Sequence, residues 1–149
     1  MTRIPLSDEK TRVIFGGETL SNLASLDATK QRIVLERLLT ILERAAPPDQ
    51  FIYKKIGNVD IIRAGDQCRL YTKVITNVPR GDTEYHVIYV LYIDSEHEYN
   101  QADLATYSGH AQARLEEVTS LDTVSDVETY LDEKNAFSHG DLFDLLDGG

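Results

Sequence analysis

Apolar positions recur along this chain with two different periods, and the change of period divides it. Arg12-Val13-Ile14-Phe15 is a short apolar run closed by Gly16-Gly17 and predicts a first strand. Leu20, Leu23 and Leu26 then recur at helical spacing up to Asp27, a side chain suited to cap the following helix. Over 28–46 the helical signal is strongest, with Ile33, Val34, Leu38, Ile41, Leu42 and Ala45 on one face and Pro47-Pro48 as the stop. Two helices, 18–26 and 28–46, are expected as a hairpin packed on a sheet.

Beyond the prolines the period falls to two. Strands are expected over 51–56, 59–63, 68–76 and 84–93, separated by turn chemistry at Gly57-Asn58, Gly65-Asp66 and Pro79-Arg80-Gly81-Asp82, which makes a β-meander. On 68–76, alternation puts Arg69, Tyr71, Lys73 and Ile75 on one face and Cys68, Leu70, Thr72 and Val74 on the other. The 84–93 run is apolar on both faces, as in a central strand covered by helices. From Asn100 the pattern is helical again through Leu104, Ala111, Leu115 and Val118, weakened at Ser108-Gly109. Capping patterns follow at Ser125 to Glu128 and at Ser138 to Asp141, each ahead of an apolar pair. The expected fold class is α+β, with a sheet-bearing domain over 1–99 and an acidic helical extension over 100–149.

Charge sharpens that division. Residues 1–99 carry 13 Lys and Arg against 14 Asp and Glu, whereas residues 100–149 carry 2 against 11. Long-range attraction to nucleic acid is therefore excluded for the whole chain and left open for a local groove on the body. No run approaches the roughly 18 apolar residues of a membrane span, and MTRIPLSDEK has no apolar stretch of a signal peptide, so a cytoplasmic protein without membrane contact is expected. The lone Cys68 excludes an internal disulfide and reads as a small strand residue.

Candidate chemistry centres on Arg63-Ala64-Gly65-Asp66-Gln67-Cys68-Arg69-Leu70-Tyr71. Two permanently charged guanidiniums flank a Gly-Asp turn, a pattern able to grip phosphate and, at Arg69, to stabilise charge building on a phosphorus. The same arginines would equally serve as ion-pair partners of sheet carboxylates. Lys54 and Lys73 are further phosphate-binding candidates. Just past the last strand, His97 carries an imidazole, a group whose ordinary pKa lies near neutrality and suits acid–base work, and Tyr99 suits base stacking. Both also fit an exposed histidine and an aromatic plug. His86 reads as a sheet residue, and His110 and His139 have no partner at metal-ligand spacing, so no metal site is expected. No Walker loop, dinucleotide fingerprint or nucleophile elbow occurs, and no cofactor is expected.

The order short strand, two helices with the second longer, proline break, then a meander carrying Arg-x-Gly-Asp-x-x-Arg-Leu-Tyr over Arg63 to Tyr71 and ending in His97-x-Tyr99, resembles the RelE/ParE superfamily of toxins from type II toxin–antitoxin systems. The resemblance covers roughly residues 11–99. It implies a small twisted antiparallel sheet with two N-terminal helices on one face and a concave groove on the other. It also implies a metal-independent endoribonuclease acting on mRNA at the ribosome, with Arg69 at the scissile phosphate, His97 or Tyr99 in acid–base catalysis or stacking, and a cognate antitoxin as partner. ParE-like members share the fold and inhibit gyrase, so a non-catalytic protein-binding module is the alternative. Val59 and Ile61 stand where RelE has lysines, and Asp94-Ser95-Glu96 replaces a basic run. The added acidic tail, 100–149, would either extend the fold or fold back in cis over the groove.

Overall fold

The computed structural model describes residues 11–16, 19–43, 48–65, 68–78, 85–94 and 101–148. Strands β1 (Thr11–Phe15), β2 (Lys54–Ile56), β3 (Val59–Ala64), β4 (Cys68–Val78) and β5 (Tyr85–Asp94) form one sheet in the order β1-β5-β4-β3-β2. The meander from β2 to β5 is antiparallel at every step, as its turns require. At the far edge β1 lies parallel to β5, with Val13 opposite Ile88, so the sheet is mixed and not purely antiparallel. Tight turns force successive strands to reverse, but β1 reaches β5 only through two helices and the whole meander, and nothing reverses it.

The run expected as a strand from Phe51 also differs. Pro48–Phe51 is a single 3₁₀ turn that drops Phe51 against the core, and pairing begins where Tyr53 N donates to Ile61 O at 2.7 Å.

Helices α1 (Thr19–Ser25) and α2 (Ala28–Glu43) cover one face of the sheet. Asp27 caps α2 as its side chain allows, accepting from Lys30 N at 2.9 Å. The apolar face of α2 is wider than its spacing implied, because Leu35 and Leu39 are buried alongside Val34, Leu38, Ile41 and Leu42. The terminal helix α5 (His139–Gly148) packs against α2, and Leu142 joins the same core at 0% exposure.

Helices α3 (Gln101–Thr119) and α4 (Val124–Glu133) lie on the opposite face. Val118, Val127 and Leu131 are buried there with Ile14, Ile75, Val87 and Tyr89. The result is three layers, helix on sheet on helix, in which both faces of β5 are apolar because both are covered. Ser108-Gly109 does not break α3. Ser108 lets the helix approach the β2–β3 turn, where its Oγ accepts from Asn58 N at 3.4 Å and a Cβ on Gly57 would stand 3.3 Å from it, while Gly109 faces open space. The cap of α4 lies two residues before the expected Ser125, because Thr123 accepts from Asp126 N at 3.0 Å. Ser138 and Asp141 form the expected reciprocal box at the start of α5. None of the described helices is long and apolar enough to cross a membrane.

Gly65, ending the turn-side of β3, has φ 71°, and a Cβ there would stand 3.0 Å from Ile33 of α2. Gly65→Ala is expected to lower the unfolding free energy by about 1–3 kcal/mol, because it adds left-handed backbone strain to a contact with a stiff branched side chain. A urea melt measures this, and an unchanged midpoint would contradict it.

Candidate functional site

The β3–β4 turn does bring the two motif arginines together. Arg63 and Arg69 are a cross-strand pair, so both side chains project on the α3 side of the sheet near its open end. Between them stands Tyr53, a residue the sequence pattern did not single out. The Arg63 guanidinium lies 5.1 Å and that of Arg69 5.8 Å from the centre of its ring, close enough for cation–π attraction.

The two arginines then part company. Arg63 is exposed at the rim. Arg69 is only 4% exposed, and its Nη1 donates to the Cys68 carbonyl at 3.0 Å. Opposite Arg69 on β5 is Asp94, itself 3% exposed, whose Oδ2 accepts from the Tyr71 hydroxyl at 3.3 Å. A guanidinium so placed is built into the sheet end, with a carboxylate and an aromatic ring as its neighbours.

Lys73 shares the Arg69 face but sits four residues along β4, roughly 13 Å away at the rise of a strand. Its Nζ is 4.0 Å from Asp60 Oδ2, the atom that also accepts from Val74 N at 2.9 Å where β4 runs past the start of β3. Asp60 is thus a plug for the exposed ladder of β4, with Lys73 as its counter-charge. Lys54 is exposed on the outermost strand, opposite Ile61. Of the candidate phosphate ligands, Arg63 therefore lies beside Arg69, whereas Lys73 is held away from them at Asp60. His97 and Tyr99 lie outside the described residues, as does Asp66. Among the described residues no group of His, Cys, Asp and Glu is arranged to hold a metal ion. Cys68 is buried at 2% exposure, and that burial pushes its thiol pKa up, with nearby Lys30 acting in the opposite sense.

The face that would hold RNA in the resemblance is filled. Val59 and Ile61 are both 0% exposed and pack with Tyr71, Ile56, Tyr92 and Tyr107. Tyr107 enters from α3 and stacks on Tyr92 at 5.1 Å with the planes 14° apart, while Tyr71 meets both rings edge-on. Asn58 Nδ2 donates to Gln112 Oε1 at 3.2 Å and fastens the same helix to the β2–β3 turn. The tail therefore crosses this face through aromatic and aliphatic contact. Among the described residues a carboxylate of the tail meets the sheet at its other end, where Glu128 Oε2 accepts from the Tyr85 hydroxyl at 2.7 Å. Comparisons with protein-family models, curated proteins and solved structures found no match to this chain.

Tyr53 and Asp60 are the residues of this corner that sequence reasoning passed over, and Asp94 was read only as part of an acidic run. The nearest signal was Asp60 between the apolar Val59 and Ile61, a buried acid that must find donors.

Proposed function

We propose that this chain is a RelE/ParE-like protein that acts by binding a partner and does not cut RNA. One observation carries the reading: the residues at the lysine positions of RelE, Val59 and Ile61, are fully buried beneath Tyr107 of α3. Cleavage by 2′-hydroxyl attack needs a phosphate seated against cations that stabilise charge as it develops. Apolar side chains under a helix supply no such seat, and Arg69 at 4% exposure is turned to the Cys68 carbonyl. Opening the face would require lifting α3 and exposing Ala111 and Val118, both at 0%, which costs several kcal/mol on the order of 25 cal/mol per Å² of apolar surface. The partner of such a module is a protein, in the manner of an antitoxin complex or a regulator.

The experiment is induction of the full chain in a host cell, with growth followed and mRNA ends mapped by primer extension. No growth arrest and no new mRNA ends are expected. Metal-independent cleavage by the purified full chain, lost in Arg63→Ala, would overturn the binding reading and restore the nuclease.

A further inference from the structure

At the carboxyl ends of the parallel strands β1 and β5, a cavity of about 650 Å³ opens between α1, α3 and the end of α4. Its volume lies in the range of sites that enclose small molecules. Its floor and sides are apolar and aromatic, with Ile14, Leu91, Tyr92 and Tyr107 among them. Its polar groups are unexpected for this chain. Residues 100–149 contain only two cations, Arg114 and Lys134, against 11 acids, and both cations line this cavity together with His110.

Arg114 is positioned and not merely present. Glu117 pairs with it at 3.1 Å and is itself held by the Tyr130 hydroxyl at 2.8 Å, while the guanidinium lies 5.8 Å from the centre of the Tyr89 ring. Lys134 Nζ is 5.6 Å over the ring of Tyr130. One carboxylate therefore faces two side-chain cations here, and the balance is positive in an otherwise acidic third of the chain.

Tyr89 also lines the cavity and is 2% exposed, and its hydroxyl has no hydrogen-bond partner among the described residues. That oxygen is sealed from a water-sized probe, so the ring and not the hydroxyl faces the cavity.

We propose that this cavity binds a small organic anion bearing a planar ring, of the nucleoside monophosphate class. The phosphate is held by Arg114 and Lys134, since guanidinium and ammonium groups bind phosphate oxygens through charge-assisted hydrogen bonds. The ring rests on the apolar wall of Ile14, Leu91 and Tyr107. The proposal does not depend on whether the chain cuts RNA.

The test is calorimetric titration of the full chain with AMP, alongside inorganic phosphate and adenosine. AMP is expected to bind saturably below about 1 mM, with phosphate and adenosine each at least ten-fold weaker. Arg114→Gln and Lys134→Gln are each expected to weaken AMP roughly ten-fold. Tyr89→Phe is the control: it removes a hydroxyl that the cavity does not reach, so AMP binding should be unchanged and the melting temperature unchanged or raised. No AMP binding by folded protein would overturn the proposal, as would binding that the Arg114 and Lys134 variants both leave intact. Inorganic phosphate matching AMP would overturn the nucleotide class and leave only an anion site.

Discussion

Removing the residues after Asn100 is expected to abolish cooperative folding. The tail contributes Ala111, Val118, Val127 and Leu142 at 0% exposure and Leu131 at 6%, spread over both faces of the sheet. Its loss would also uncover Val59, Ile61, Tyr71 and Tyr89, which are now at 2% exposure or less. Each large aliphatic side chain contributes about 1.5–3 kcal/mol on burial, so the total is as large as the roughly 5–15 kcal/mol by which such domains are stable. The truncated chain should be insoluble, or should lack a sharp thermal transition and near-ultraviolet circular dichroism. A soluble 1–100 fragment with a cooperative melt would show that the sheet and its first two helices stand alone. The tail would then be a removable cover, and an open groove would be available beneath it.

Ile61→Lys is the second large effect expected. In a protein with an open groove, a lysine at this position would point into water, and stability would change little. Here Ile61 is 0% exposed, opposite both Lys54 and Tyr71, and packed under Tyr107. The substitution removes a filled volume and places an ammonium group among aromatic rings, with a cost of about 3–5 kcal/mol. Chemical denaturation of the purified variant measures it. A loss under about 1 kcal/mol would mean that α3 does not close this face in solution, whereas the expected loss agrees with a face committed to the core. RNA cleavage should not appear in the variant, because the added charge has no phosphate seat beside it.

These expectations rest on parts of the molecule that were unequally legible. Alternation alone placed Arg69, Tyr71 and Lys73 on one face of β4, and the strand pairing puts them there. Asp27 as the cap of α2 and the Ser138–Asp141 box were readable too, since each bond joins groups three residues apart. The cap of α4 was misplaced because Thr123 and Ser125 are both good capping residues, and a local pattern does not choose between them. What Arg69 meets was not readable. Tyr53 and Asp94 are distant in sequence and reach it only through the pairing of β2, β3, β4 and β5.

By itself the sequence determined the elements, the α+β class, the β2 to β5 meander and the faces of the strands, because these follow from short-range periodicity and turn chemistry. Only the tertiary structure decided the direction of β1, the partners of the arginines and the use of the tail. The acidic composition of residues 100–149 pointed to solvent or to mimicry of nucleic acid, yet a helix has more than one face. The acids of the tail count toward its charge wherever they lie, while the few apolar residues of α3, α4 and α5 decide what those helices touch. They close both sides of the sheet and leave Arg114 and Lys134 at a cavity between them. Net charge is a sum over a segment and carries no direction. Packing is directional, and only the assembled fold shows which way each side chain faces.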